Sequence, residues 1–268
     1  MTATRRRLDA ELVRRGLAST TSEARAAVEA GTVTVAGAPV TNPSSQVRTD
    51  EPLHVSAASP RFVSRGGEKL AAALRGFAID PAGRRCLDAG ASTGGFTDCL
   101  LQAGAQAVVA VDVGYGLLAW SLRSDPRVIV LDRTNVRDLG PRDLPFVPTL
   151  LVADLSFTSL RGVVPALQRL GADDAEYVLL VKPQFEADAA SVPAGGVVRD
   201  QEVWRRSISG VVQGLAQAGI GARGVMASPV PGRSGNIEFL LFASARESGG
   251  IGAAEVERAV AEGARIAR

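Results

Sequence analysis

The sequence predicts an α/β protein, with a mostly parallel sheet covered by helices on both faces behind a small α+β module. Three observations predict it. From residue 65 onward, short apolar runs alternate with helical stretches. Those runs are apolar nearly throughout, as strands buried on both faces require. The first 57 residues pattern as short helices and strands of their own, and a small, Pro-ended stretch, Ser56-Ala57-Ala58-Ser59-Pro60, follows them. The expected organisation is a module over 1–57, a linker over 58–64, the α/β domain over 65–245, and a helical tail over 246–268 behind a glycine hinge.

In the module, Leu8, Leu12, Val13 and Leu17 recur at helical spacing, and Gly16 falls where a helix end needs a left-handed residue. Thr21 or Ser22 is the expected cap of a second helix through Ala24, Ala27 and Val28, which Gly31 ends. Thr32 to Val35 alternates as a strand, Ala36-Gly37 turns, Val40 begins the return, and Leu53-His54-Val55 is a further strand. In the larger domain the expected strands are Arg85–Ala89, Ala107–Asp112, Val128–Leu131, Leu150–Asp154, Tyr177–Val181, Gly224–Ser228 and Ile237–Phe242. The clearest helices are Gly95–Gln102, Leu160–Leu170 and Glu202–Ala218.

Composition narrows the function. Hydrophobic residues make up 46% of the chain, enough for a packed core. The net charge is only +2, so a nucleic-acid surface has to be a local patch. Cys86 and Cys99 lie in or beside apolar runs and read as small buried hydrophobes. His54 is the single histidine, which leaves no histidine-rich metal site. There is no signal-like segment and no run of ~20 apolar residues, which points to a cytoplasmic setting. Of 30 basic residues only Lys69 and Lys182 are lysine, so each stands where arginine does not serve.

A glycine-rich turn, Asp88-Ala89-Gly90-Ala91-Ser92-Thr93-Gly94-Gly95-Phe96, follows one strand and opens a helix. Its glycines allow close backbone approach to a ligand, and the helix N-terminus offers free N–H groups. The spacing fits neither the dinucleotide fingerprint nor the ATP phosphate loop. Asp88 disfavours a phosphate and suits the ammonium of an amino-acid moiety. Asp112, followed by Val113, ends the next strand roughly 20 residues on, where such folds place an acid for ribose hydroxyls. A third strand ends near Asn135, where an adenine would lie.

Asp154 and Lys182 follow the fourth and fifth strands, at the edge where doubly wound sheets bind ligands. Lys69 precedes the first strand of the domain, and Glu238 sits on a late one. The set suits methyl transfer to a hydroxyl such as a ribose 2′-hydroxyl, a poor nucleophile that must lose its proton as it attacks. A lysine becomes a base when burial and a nearby cation disfavour its charged form; arginine does not. Asp154 and Glu238 would orient the two amines.

These residues resemble a known group. Lys69, Asp154, Lys182 and Glu238 look like the K-D-K-E tetrad of FtsJ/RrmJ-like 2′-O-methyltransferases, and Asp88–Phe96 resembles their first cofactor motif. The N-terminal pattern resembles an S4 RNA-binding domain. Ser64-Arg65-Gly66-Gly67-Glu68-Lys69-Leu70, Asp112-Val113-Gly114-Tyr115-Gly116 and Lys182-Pro183-Gln184-Phe185-Glu186 make the whole similar to the TlyA family of rRNA methyltransferases, often labelled haemolysins. The resemblance implies a Rossmann-like class I methyltransferase domain using S-adenosyl-L-methionine. It implies 2′-O-methylation of cytidine in rRNA or ribosomal subunits, with neither DNA nor membrane as partner, no metal, and an open oligomeric state. Arg5, Arg6, Arg7, Arg14, Arg15, Arg25 and Arg65 are the RNA-contact candidates; for any one of them a solvated face is an equal explanation. A small-molecule methyltransferase, a membrane-active haemolysin and a non-catalytic RNA-binding assembly factor are the other classes to separate.

Overall fold

Each strand of the large sheet sends successive side chains to opposite faces, and both faces are apolar. The computed structural model describes residues 5–29, 31–56, 61–246 and 249–267, and the chain divides into two compact units, Met1–Arg61 and Phe62–Arg268.

The first unit runs β1 (Arg5–Arg7), α1 (Leu8–Arg14), α2 (Thr21–Glu29), β2 (Val33–Val35), β3 (Ala38–Pro39), β4 (Gln46–Arg48) and β5 (Leu53–Val55). Leu8, Leu12, Ala24, Val28, Val33 and Val47 form its core. Leu17, expected at helical spacing with Leu8 and Leu12, lies beyond the end of α1 and is 39% exposed. The cap of α2 lies one residue earlier than expected: Thr20 Oγ1 accepts from Glu23 N at 3.1 Å, and Glu23 Oε2 accepts from Ser19 N at 2.7 Å. Ala36 and Gly37 both have positive φ in the tight turn between β2 and β3. The pairing of β1 with β4 has no sequence signal, because its residues are three exposed arginines.

The second unit runs α3 (Gly66–Gly76), β6 (Arg85–Ala89), α4 (Gly95–Gln102), β7 (Ala107–Val111), α5 (Trp120–Arg123), β8 (Val128–Leu131), β9 (Leu150–Ala153), α6 (Val164–Leu170), β10 (Glu176–Val181), α7 (Pro183–Glu186), α8 (Gln201–Gln217), β11 (Gly221–Ala227), β12 (Phe239–Ser244) and α9 (Ala253–Ile266). The seven-stranded sheet has the order β11-β12-β10-β9-β6-β7-β8. The pairs from β10 through β8 are parallel, while β12 is antiparallel to both β10 and β11.

On one face Cys86, Val108, Val152, Val178 and Leu240 meet Leu70, Leu74 and Leu100 of α3 and α4. On the other, Leu87, Val109, Leu151, Leu179 and Leu241 meet Leu167 of α6, Trp204, Ile208 and Leu215 of α8, and Val260 of α9. Both cysteines are free and buried, and burial pushes the Cys86 thiol up to about 12.

Two boundaries move. Phe62 and Val63, assigned to the linker, belong to the second unit: Phe62 is buried against Gly67, and Val63 N donates to Asp98 Oδ2 at 2.8 Å. Ser64 lies in the second unit as well and Arg61 in the first, while linker residues 58–60 lie outside the described ones. The C-terminal stretch is no free tail either, because Val256, Ala259, Val260 and Gly263 bury one helical stripe against the sheet. Its alanines concealed that face.

Candidate active site

Strand direction explains why the predicted residues converge. β6 and β9 are parallel neighbours. The chain runs outward from β6 to β7 and β8 on one side, and from β9 to β10 on the other. The crevice at such a reversal is where open α/β sheets bind ligands. The turn after β6, Asp154 after β9 and Lys182 after β10 all open there. β12 enters opposite to β10, with Phe239 beside Val181, so Glu238 reaches the same edge from the other direction. Lys69 arrives from the first turn of α3.

The four form two ion pairs. Lys69 Nζ donates to Glu238 Oε2, and both side chains are buried. Lys182 Nζ lies 2.6 Å from Asp154 Oδ1 and donates to Ser156 Oγ at 3.0 Å. All four line a cleft of about 910 Å³, together with Arg65, Gly90, Ser92, Thr93, Gly95 and Phe96. A second cleft, of about 430 Å³, is lined by Asp112, Val113 and Asn135; it shares Gly90, Ser92, Asp154, Ser156 and Phe157 with the first.

Asp112 Oδ2 accepts from Ser92 N at 2.8 Å and Oδ1 accepts from Gly114 N at 2.7 Å, so this carboxylate joins the ends of β6 and β7. Asn135 caps a turn by accepting from Arg137 N at 3.1 Å. Asp88 and Gly94 do not line either cleft. Asp88 is fully buried beneath the turn; Oδ2 accepts from Thr97 Oγ1 at 2.7 Å, while Oδ1 has no partner among the described residues. Burial pushes its carboxyl up to about 7 against the pull of Thr97, and Asp154 and Asp112 add repulsion. Gly94 has φ 97° and a Cβ there would meet Leu122 at 2.3 Å, while one on Gly95 would meet Ser64 Oγ at 2.2 Å. Protein packing, rather than ligand approach, therefore accounts for these two glycines.

Sequence reasoning passed over several residues that line the clefts or brace them. Ser156 bonds Lys182. Phe157 is 91% exposed with φ 62°, its ring 5.2 Å from that of Phe185. Glu186 is buried and accepts from Ser159 Oγ and Leu160 N, both at 2.6 Å, which anchors the loop after β9; burial raises its carboxyl. Asn236 Oδ1 accepts from Val198 N at 2.9 Å and Nδ2 donates to Gly196 O at 2.9 Å, fastening the segment before α8. The motif Lys182–Glu186 pointed at Glu186; polar residues in loops gave no signal for the others.

Residues 62–245 match the FtsJ-like methyltransferase family model and residues 6–53 match the S4 domain model. A Mycobacterium tuberculosis protein named 16S/23S rRNA (cytidine-2'-O)-methyltransferase TlyA is 50% identical over 97% of this chain and 99% of its own. The chain belongs to the TlyA family. Bacillus subtilis YqxC, within the same similarity, is 44% identical over 90% of this chain and 86% of its own length. A solved Streptococcus thermophilus structure carrying a hemolysin label superposes with a TM-score of 0.75 at 34% identity, covering 99% of this chain and 98% of that one.

As a TlyA-family methyltransferase the protein is S-adenosylmethionine-dependent, and its residues fit that group. A Cβ on Gly90, which has φ 85°, would stand 2.7 Å from Asp154 O, so only glycine keeps the floor between the two clefts open. The carboxylates Asp112 and Asp154 favour a cationic ligand over a phosphate.

The S4-like unit of this TlyA-family chain changes the reading of its arginines. Arg15 is corrected from an RNA contact to a structural residue. Its guanidinium donates to Glu11 and to the carbonyls of Thr49 and Glu51 at 2.9 and 2.7 Å, and only 20% of its side chain is exposed. Arg14 also pairs with Glu11, which is held at about 2, first by Arg14. Arg7 and Arg25 share buried Asp9 but stay about half exposed, at 46% and 55%. Arg5 and Arg6 are exposed on β1 and make no ion pair among the described residues.

Proposed function

We propose that this protein methylates the 2′-hydroxyl of a cytidine in small- and large-subunit rRNA, with Lys182 as general base. The observation that carries the reading is the pair of lysine–carboxylate contacts at one crevice, holding both lysines of an otherwise arginine-only chain. The function named for the M. tuberculosis relative supports the substrate.

When bound, S-adenosylmethionine would supply an electrophilic methyl for the ribose oxygen, the bonding pair of the carbon–sulfur bond staying with sulfur. Lys182 Nζ takes the hydroxyl proton, and Asp154 steadies the resulting ammonium. Lys69, paired to Glu238, lines the same cleft as a fixed cation. Asp112 holds ribose hydroxyls in the second cleft, bordered by Val113 and Asn135, while Gly90, Ser92, Thr93, Gly95 and Phe96 line the path between. Phe157 offers an exposed ring on which the target base stacks. The first unit grips phosphate through Arg5, Arg6, Arg7, Arg14 and Arg25, and Arg65 serves at the cleft. The protein works in the cytoplasm, where ribosomal subunits are.

Among the described residues no helix is long and apolar enough to cross a membrane, and the apolar stripe of α9 is occupied by the sheet. Both observations weigh against membrane action. A non-catalytic assembly factor would have no use for two buried lysines.

The test is transfer of labelled methyl to rRNA lacking the modification, followed by alkaline hydrolysis. An alkali-resistant dinucleotide beginning with cytidine is expected. Label on a base, or none, would overturn the reading.

A further inference from the structure

A general base must aim its lone pair as well as hold it. Lys182 Nζ turns freely about its last carbon–nitrogen bond unless its N–H groups are engaged. Asp154 Oδ1, at 2.6 Å, fixes one direction only. With that single anchor the lone pair still sweeps a cone, and a small share of orientations faces the hydroxyl.

We propose that Ser156 is a positioning residue that completes the aim. This inference rests on Lys182 being the base. Ser156 Oγ accepts from Lys182 Nζ at 3.0 Å, and Ser156 lines both clefts, at the junction between them. A neutral amine has two N–H groups and one lone pair in tetrahedral arrangement. With one N–H donated to Ser156 Oγ and Asp154 Oδ1 held 2.6 Å away as ion-pair partner, the directions left to the lone pair are narrowed, and in this role it faces the cleft that Lys182 and Ser156 both line. The proton leaves the ribose oxygen and joins Nζ along that direction; no further donor or acceptor is required. Lys69 cannot take the place of Ser156, because an ammonium donates only and has no lone pair to accept an N–H from Lys182.

Glu186 secures the arrangement from behind. By bonding Ser159 Oγ and Leu160 N it pins the far end of the loop that carries Ser156. Ser156 itself is exposed, so its substitution leaves the core intact.

The experiment compares wild type, Ser156→Ala, Ser156→Thr, Ser156→Val and Lys182→Ala in single-turnover methyl transfer, with KM measured separately for RNA and cofactor. Ser156→Ala is expected to slow the step about 10-fold at saturation with both KM values unchanged. Ser156→Thr, which keeps the hydroxyl, should recover to within about threefold, and Ser156→Val, its isostere without one, should not. An Ala variant at the wild-type rate, Thr and Val variants that behave alike, or a loss confined to KM would overturn the role of Ser156 while leaving the proposed reaction standing. A wild type without ribose methylation, or an active Lys182→Ala, would overturn the base assignment and this inference with it.

Discussion

Replacing Lys182 by arginine separates charge from proton transfer. The side chain is 9% exposed and ends 2.6 Å from Asp154. A guanidinium keeps the positive charge, still reaches this carboxylate, and is not deprotonated near neutral pH. If Lys182 served only to balance Asp154, the variant would lose the worth of a slightly displaced ion pair, about 1 kcal/mol, or roughly fivefold in rate. Loss of a general base is larger, about 10²–10⁴-fold, equivalent to about 3–5 kcal/mol of barrier. The two accounts differ by at least an order of magnitude. Single-turnover rates at saturating rRNA and cofactor read the chemical step alone. Lys182→Arg should match Lys182→Ala to within a few-fold. A Lys182→Arg enzyme within fivefold of wild type would refute the base role and leave only electrostatic positioning. Lys69→Arg, which asks only for a retained cation beside Glu238, should be milder in the same assay.

Other outcomes follow from the same geometry. Asp112→Ala should weaken cofactor binding by about 1.5–3 kcal/mol in calorimetry, with RNA affinity kept; unchanged cofactor affinity would remove Asp112 from the site. Asp88 makes a sign-specific contribution to stability. Its folded-state carboxyl titrates at about 7, above the usual value of 3.8, so between those values the unfolded chain has already released a proton that the native protein retains. Stability should fall as pH rises from about 4 to about 7, by ~4 kcal/mol at most, and Asp88→Asn should flatten that slope in denaturant titrations of the ligand-free protein. Deleting residues 1–57 should leave a folded domain that binds cofactor but no longer holds rRNA, while the intact chain's RNA affinity should drop steeply with salt. Equal methylation by the truncated protein would assign the first unit another task.

Much of the larger unit was legible in the sequence because its strands are continuous apolar runs and its motifs sit at their ends. Gly95–Gln102 was placed to the residue, and Glu202–Ala218 was displaced by one position at each end. What escaped was pairing between distant segments. β1 has no apolar residue to announce it, and α9 hides its buried stripe among alanines. The tetrad residues were found by type and position, yet their division into Lys69–Glu238 and Lys182–Asp154 depends on the reversed entry of β12, which no local pattern encodes. The arginines misled in the opposite sense. Spacing places Arg15 on a helix surface, and only the fold shows the carbonyls of Thr49 and Glu51 waiting for it.

The position of β12 also bears on how the chain is made. It follows the other six strands of this sheet in chain order, yet it lies inside the sheet, between β10 and β11. A nascent chain that has passed residue 227 but not residue 239 leaves the hydrogen-bonding edge of β10 bare and β11 without a neighbour. Such an edge is apolar and prone to pair with other chains. Over the same interval Lys69 lacks Glu238, its partner 169 residues away. The strand that closes the sheet is therefore also the one that brings Glu238 to Lys69.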